Sequence, residues 1–439
     1  MTDCKQSEKQ YAITAVMRLY FPFYTPSWLR FRAEALCKKQ WSIDKGIDTR
    51  FYLGYIHRIF NSNGLRGDCL VLRREIQSEQ LLVFGHALSV SHARIFSFDT
   101  SIGFLELNIP YACNKPDKIS DIMAFLRCSN FPRLPCGEKE RECLNSVATR
   151  ILTGLGEFTL FDHLAKNGET RPELFVTLLA DQKTEELPLH AHRIARALHS
   201  SHEAEVSEMN AYAKFSHTQW EISEYGVCNV GILTGNEQND VFLNKNWFAH
   251  SESRYIPWYI LALHQKYALY HFLNEIAQKN DMRNLRKTQK KIVLFNTKYR
   301  FRIVSEEIDY QRHYEQFCEL IGLDKQFDDI DDEIERISDY HETVGSAKNN
   351  ASMTIIALVC TLSVLQEFYD LIEGGSLITA IKNAYANLSV GGVILYGAFL
   401  CIIVAAIFIL LPAKEWIRAI GHRIHCTLLE IKLFFHRKK

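Results

Sequence analysis

Three polar side chains recur at helical spacing in the C-terminal part of the chain, at Asn350, Thr354 and Thr361. At 100° per residue, these positions and Phe368 fall within about 40° of one another around a helix. Such a stripe could face water and partly dehydrated ions, with Phe368 as an apolar constriction that gates by dewetting. Alternatively, the threonine hydroxyls bond carbonyls of their own helix and face protein or lipid. The first interpretation predicts that these four residues line a pore.

Three carboxylates follow that stripe, at Glu367, Asp370 and Glu373. Repeated around an oligomer, they could form acidic rings at the outer mouth of the pore and concentrate cations there. The alternative is that they are ordinary solvated charges in a connecting segment. Both interpretations remain open from the sequence.

A second acidic run lies upstream and has the character of a hard-cation site. Carboxylate oxygens are the ligands that Mg²⁺ and Ca²⁺ prefer, particularly between subunits. The residues singled out for Mg²⁺ or another divalent cation are Asp328, Asp331, Asp332 and Glu335. A solvated helix face, paired with the basic residues at 283–291, is the competing interpretation.

No set of residues in the sequence identifies a catalytic site. Four histidines lie near one another, at His190, His192, His199 and His202. Positions two apart on a helix do not share a face, so this spacing does not make a metal site, and we treat these histidines as surface residues. The glycine-containing loops match neither a P-loop nor a dinucleotide fingerprint. We therefore predict that the chain is not an enzyme.

Two apolar segments would position the pore stripe. Segment 390–411 has no charged residue along its length, and as a helix it covers roughly 33 Å, enough for a bilayer core of about 30 Å. Segment 351–365 is shorter, at roughly 22 Å. Together they predict a transmembrane hairpin at 351–411, with an external connection at 366–389. The tail at 412–439 is basic, so the positive-inside rule places both termini in the cytoplasm of a multi-pass protein of the cell inner (cytoplasmic) membrane.

Upstream of the hairpin, residues 1–250 mix two periodicities. Segment 80–111 alternates β-branched and aromatic residues around a turn at 99–103, which predicts consecutive antiparallel strands. Other segments have helical spacing. We therefore predict an α/β cytoplasmic domain.

Residues 251–350 are predicted to form a cytoplasmic stalk of long helices. Ser251 would cap the first of them, and the last would run over 327–365 into the first span. A helix of that length with one apolar stripe needs copies of itself beside it, so we expect a homo-oligomer. The predicted fold class is an α+β cytoplasmic domain followed by long helices and a C-terminal two-helix transmembrane hairpin.

Composition excludes some classes of protein. The chain of 439 residues has 51 basic and 51 acidic residues, so it lacks the basic field of a nucleic-acid-binding protein, and we predict no nucleic-acid partner. Its 12 cysteines are scattered without a C-x-x-C pair, which favours reduced thiols over a zinc site or a disulfide framework.

The combined architecture resembles the CorA-type metal-ion transporter superfamily. The resemblance covers the whole chain and is strongest over 251–439, including the aromatic helix at 258–269. It implies a pentamer whose first span lines the pore, with magnesium as the ion. The sequence departs from the family at the filter, because no Gly-Met-Asn signature follows the first span and segment 367–376 stands there instead.

Two functions remain open. The first is a homo-oligomeric membrane ion channel or transporter, cation-conducting and gated by its cytoplasmic domain. The second is a membrane effector of a bacterial anti-phage defence system, gated by a small molecule such as a nucleotide messenger. The size of region 1–250 favours the second, whereas the overall architecture favours the first.

Overall fold

The computed structural model describes most of the chain up to residue 339 and two short helical pieces beyond it. The described ranges are 12–61, 64–76, 79–83, 86–127, 147–161, 171–202, 211–212, 215–278, 282–339, 353–354 and 356–358. The chain divides into two compact units, one ending at Ile334 and one beginning at Glu335. The main β-sheet lies in the first unit.

A mixed sheet of ten strands is the centre of the first unit. Its strands are β1 (Ile13–Tyr24), β2 (Ser42–Ile43), β3 (Cys69–Glu75), β6 (His92–Phe98), β7 (Ile102–Cys113), β8 (Thr159–Leu160), β9 (Glu173–Ala180), β10 (Ala211–Tyr212), β11 (Thr218–Ser223) and β12 (Gly226–Ile232). A separate hairpin consists of β4 (Gln80–Val83) and β5 (His86–Ser89). The order across the sheet is β10-β11-β12-β9-β1-β7-β6-β3-β2, with β8 beside β1. Among the described pairs, β9 and β12 run parallel and the others antiparallel.

Helices cover both faces of this sheet. They are α1 (Trp28–Cys37), α2 (Gly54–Asn61), α3 (Asp117–Arg127), α4 (Leu187–Ala195), α5 (Glu237–His250), α6 (Ile256–Gln278), α7 (Met282–Tyr299) and α8 (Ile308–Leu320). Further helical residues lie at 147–152 and 323–339. A π-helical turn of five residues, Ser251–Tyr255, joins α5 to α6 without a break.

Strand β1 shows how the sequence makes two apolar faces. Its odd-numbered residues, from Ile13 to Phe23, pack on the first face with α1, α3 and α4. Its even-numbered residue Tyr20 packs on the second face, with α2, α6, α7 and α8. Because successive strand residues point to opposite sides, a strand buried on both faces is apolar almost throughout. Arg18 is the charged exception in β1, and it lies fully buried.

The predicted strands at 80–111 are confirmed, since β4 to β7 occupy this segment and pair antiparallel. The predicted turn at 99–103 contains Ser101 with a φ of 73°. The prediction that Ser251 caps a helix is wrong. The helix begins earlier, because the Asn236 side chain accepts hydrogen bonds from the backbone N–H groups of Gln238 and Asn239, which leaves Ser251 inside the helical run.

The transmembrane part of the predicted fold class is overturned. In the portions of the chain that the structure describes, no helix combines the length and apolar character needed to cross a bilayer. The most apolar long helix, α6, is buried against the sheet and carries the polar side chains His264, Gln265 and Lys266 along its middle. The membrane class and the inner-membrane location fall with the hairpin. The apolar segments themselves lie outside the described residues, apart from 353–354 and 356–358.

Candidate functional site

The π-helical turn owes its form to the proline that follows it. Pro257 has no N–H group, so the carbonyl of Ser253 loses the partner that a regular α-helix would give it. The backbone N–H of Asp48 donates to that carbonyl instead, at 3.0 Å. The Tyr52 hydroxyl donates to the next carbonyl, that of Arg254, at 2.6 Å. The turn is thus bonded from outside the helix, and π-helical turns are frequent at functional sites.

The first residue of the turn, Ser251, is held by polar side chains from three strands. Its hydroxyl lies 2.5 Å from that of Thr177, and it accepts from Arg18 at 3.3 Å and from Asn229 at 3.4 Å. Arg18 also donates to Thr177 at 2.9 Å. Burial lowers the pKa of Arg18, because the charged form loses its water. A buried cation is costly, and the nearby charges of Glu106 and Glu252 oppose the effect of burial on Arg18.

The second residue, Glu252, receives three basic side chains. Its Oε1 lies 2.8 Å from Arg73 Nη1, 3.2 Å from His92 Nε2 and 3.7 Å from Arg94 Nη1. Burial alone would raise the pKa of this carboxyl, but the His92 imidazole and the charge of Arg94 outweigh it and hold the pKa well below its usual range. Glu252 is therefore ionised under ordinary conditions and fixes the turn to β3 and β6.

Arg94 makes a second and closer ion pair within the sheet. Four N–O contacts of 2.8 to 3.1 Å join its guanidinium to the carboxylate of Glu106, and both side chains are buried. Burial acts to lower the pKa of Arg94. The charges of Glu106 and Glu252 have a larger effect in the opposite direction, so the pKa of Arg94 is raised. Fork-to-fork geometry of this kind is among the strongest that side chains make.

Charges of both signs surround Glu252. We call this set the charged cluster, and its members are Arg18, Arg73, Arg94, Asp44, Glu106, Glu252 and His92. Asp44 joins it at 3.8 Å from Arg94. Arg18 belongs to it through the nearby charges of Glu106 and Glu252. Three arginines and three carboxylates give these six residues a formal charge of zero, and the exposed Glu75 adds a further carboxylate on the solvent side of Arg73. In the buried part of the set, the close pairing of Arg94 with Glu106 offsets the cost of removing both charges from water.

The last residues of the turn are held from the α2 side and by the neighbouring strands. Arg254 Nε lies 3.0 Å from Asp48 Oδ2, and its guanidinium sits 4.8 Å from the centre of the Phe51 ring. The Tyr255 ring meets Trp220 edge-on, with centroids 4.6 Å apart. Each of the five residues of the turn thus contacts a partner outside the helix.

Further along α6, a second buried ion pair ties the helix to the sheet. The carboxylate of Glu173, at the start of β9, accepts from Lys266 at 2.8 Å and from the Tyr267 hydroxyl at 2.7 Å. Burial acts to raise the pKa of Glu173, but Lys266 and Arg127 outweigh it and lower the pKa to about 2. Helix α6 is therefore fastened by charges at its beginning and near its middle.

The predicted pore residues fall almost entirely outside the described residues. Those outside are Asn350, Thr361, Phe368, Glu367, Asp370 and Glu373. Thr354 lies in the helical piece 353–354 and is half-buried. The pore lining and the acidic mouth stay predictions.

The predicted divalent-cation residues lie on helix 323–339 and do not converge. Asp331 and Asp328 pair with Arg300, at 2.6 and 3.6 Å, whereas Asp332 and Glu335 are exposed. Over the described ranges, no group of three or more His, Cys, Asp and Glu side chains could hold a metal ion. The alternative pairing with the basic residues at 283–291 is also not what the structure shows for Asp331, because its partner is Arg300.

Three of the four histidines have separate acidic partners, and two of these three are not surface residues. His192 is fully buried and lies 2.7 Å from the Glu221 carboxylate. His190 is also buried, and its Nδ1 atom lies 3.2 Å from Asp117 Oδ1. His199 pairs with Asp121 at 3.4 Å. The assignment of His190 and His192 to the surface is therefore wrong, because α4 turns them toward neighbouring elements.

The charged cluster was missed by the sequence analysis, although a local signal exists for part of it. Arg94 and Glu106 have opposite charges, interrupt apolar strands, and stand equally far from residue 100 in the predicted turn. Residues placed in this way pair across an antiparallel hairpin, and the register confirms the pairing. Glu252 and Arg73 carry no such signal.

Comparison of the chain with protein-family models, with curated proteins and with solved structures gives no match.

Proposed function

We propose that the described part of the chain is a non-catalytic regulatory module of a signalling effector. In this proposal, a small molecule changes the contacts of the π-helical turn, and the turn passes that change to α6 and to the helices after it. One observation carries the proposal, namely that all five residues of the turn are held by groups outside the helix, including a buried charged cluster.

Buried charges are better suited to switching between two conformations than to holding two helices in one fixed arrangement. An ion pair in the interior is strongly favoured when complete and costly when one partner is missing. Such a contact therefore favours two discrete arrangements over a graded series. The turn joins α5 to α6 without a break, so a change in its register would reach α6 directly.

The ligand class proposed for the turn is a small molecule such as a nucleotide messenger, as expected from the sequence. Nucleotides carry phosphate groups, and arginine is the residue most suited to bind them. Arg73, Arg94 and Arg18 all lie in the charged cluster, which makes this class a natural candidate for a test.

Hydrogen exchange of the full chain tests whether the turn transmits. The variant is Asp48→Asn, which removes the carboxylate partner of Arg254 and of the exposed Arg50 while leaving the backbone N–H of residue 48 in place. We expect faster exchange in α7 and α8 as well as in α5 and α6, because the loosened turn alters how the whole helical run packs.

The matched control is Arg30→Gln on α1, where Arg30 pairs with Glu34 on the surface at 2.7 Å. This control should leave exchange in α7 and α8 unchanged. If Asp48→Asn changes exchange only at residues 251–255, the turn does not transmit and the proposal is wrong.

A further inference from the structure

We propose that Arg73, His92 and Arg94 form a binding site for one anionic group of a small molecule, and that Glu252 fills this site in the structure. The ligand's carboxylate or phosphate would take the place of the Glu252 carboxylate and so release the turn from the sheet. This inference rests on the proposed function and names the chemistry of its ligand.

The geometry is that of an anion site with its own anion inside. Two guanidinium groups and one imidazole from the neighbouring strands β3 and β6 converge on a single oxygen, Glu252 Oε1, within 3.7 Å. Positively charged forks around one oxyanion are the usual means of holding a carboxylate or a phosphate in proteins. The side chain that supplies the oxyanion belongs to the turn, whereas the groups that bind it belong to the sheet.

The charges of the surrounding side chains determine which charge the ligand group can carry. With Glu252 withdrawn, the remaining arginines are Arg18, Arg73 and Arg94, and the remaining buried carboxylates are Asp44 and Glu106. One positive charge is left over among these side chains, because the Glu75 carboxylate on Arg73 is 66% exposed and its charge is screened by water. The Asp44 carboxylate, 3.8 Å from Arg94, opposes a second negative charge. The site therefore favours a group with a single negative charge, such as a carboxylate or a singly charged phosphate, over a doubly charged one.

The site is reached from the side of Arg73. The Arg73 and Glu252 side chains are 34% and 24% exposed, whereas those of Arg94 and Glu106 are 1% and 0% exposed. A ligand group would thus meet Arg73 first and then displace the carboxylate from His92 and Arg94. Since a π-helical turn holds an extra residue compared with an α-helical turn, Glu252 can withdraw through a local change of helical register.

Chemical rescue tests the site directly. The full chain with Glu252→Ala is unfolded by urea in sodium chloride, sodium acetate or inorganic phosphate at one ionic strength and pH. We expect acetate and phosphate, but not chloride alone, to stabilise this variant. At ten times the dissociation constant of the anion, the gain corresponds to about a tenfold shift in the unfolding equilibrium.

Two further variants make the result specific. Adding Arg73→Gln to Glu252→Ala should abolish the gain, because the exposed arginine that first meets the anion is gone. The matched control is Glu75→Ala, which removes the other carboxylate on Arg73, at 2.9 Å but on the solvent side. It should show no anion-dependent gain. Equal stability of Glu252→Ala in all three salts, or a gain that survives Arg73→Gln, would overturn the proposal.

Failure to fold is also informative. If Glu252→Ala is unfolded in chloride, recovery of folding in phosphate supports the site. No recovery, together with no phosphate-dependent gain in the isosteric Glu252→Gln, contradicts it. Rescue without any altered exchange in α7 and α8 would retain the anion site and reject the proposed transmission. Altered exchange without rescue would do the reverse.

Discussion

Arg94 and Glu106 lie opposite each other on β6 and β7, and each depends on the other for its charge inside the protein. We expect Arg94→Met to lower the free energy of unfolding by about 3–5 kcal/mol, because it leaves the Glu106 carboxylate buried and less compensated. The double variant Arg94→Met, Glu106→Leu should be more stable than the single one. Urea unfolding of both variants measures this, and a double variant less stable than the single one would refute it.

His313 makes stability depend on pH. It lies among the rings of Trp220, Trp258 and Tyr212, and neither of its ring nitrogens has a hydrogen-bond partner among the described residues. Burial lowers its pKa to about 3, against the opposing charge of Asp309. In the unfolded chain its pKa is about 6.5.

The direction of the pH dependence follows from the two pKa values of His313. Between those two pKa values the unfolded chain binds a proton that the folded protein does not, so stability falls as pH falls below about 6.5. We expect His313→Leu to reduce the loss of stability between pH 7 and pH 5 by about 1.4 kcal/mol per pH unit at most. The control is His202→Leu at an exposed position. An unchanged pH dependence in His313→Leu would contradict this account.

At the scale of the element, Pro257 sets the form of the π-helical turn. Pro257→Ala restores an N–H group that can bond the Ser253 carbonyl within the helix, in competition with the N–H of Asp48. We expect the amide of Asp48 to exchange about fivefold faster, as loss of about 1 kcal/mol of hydrogen bonding implies. The amide of Leu53, which bonds the carbonyl of Val304 at 3.0 Å, serves as the control. Equal exchange at Asp48 in both proteins would refute the proposed origin of the turn.

At the scale of the whole molecule, two exposed surfaces have complementary charges. Helix α7 exposes Lys287 and Lys290, next to Leu294, which is 60% exposed. Helix 323–339 exposes Asp329 and Asp332. The homo-oligomer expected from the sequence would bring the basic surface of one copy against the acidic surface of another, with the apolar residue adding contact area.

This arrangement can be tested by charge reversal. We expect Lys287→Glu with Lys290→Glu to lower the mass measured by light scattering at low salt, and Asp329→Lys with Asp332→Lys in the same chain to restore it. Arg30→Glu on α1 is the control, because Arg30 is also an exposed basic residue. A mass that is the same for all variants would show that these surfaces do not mediate self-association.

The sequence predicted what depends on local patterns. Alternating residues in 80–111 located the antiparallel strands, because one strand period is enough to reveal a buried face. The same counting could have paired Arg94 with Glu106. The predicted cap at Ser251 was wrong. Pro257 follows it closely, and proline usually marks the first turn of a helix, whereas here it lies within a longer helical run.

The remaining part of the site depends on contacts between distant segments. Arg73 and Glu252 are 179 residues apart, and only the order of strands in the sheet and the docking of the turn bring them together. No local period carries that information. The transmembrane hairpin was predicted from apolar length alone, and the described helices show how α6 uses apolar length for burial against a sheet.

The long sequence separation across the second face has a consequence for synthesis. Segment 48–55 is bonded to residues 253, 254, 303 and 304, as in the contact between Leu53 and Val304. A ribosome adds about 5–20 residues per second, so these partners follow roughly 10–50 s later. During that interval β1, β6 and β7 can pack their first face. The aromatic residues of their second face stay exposed until α6 has been synthesised. The nascent chain therefore needs shielding from its neighbours, such as a chaperone provides, until α6 has left the exit tunnel.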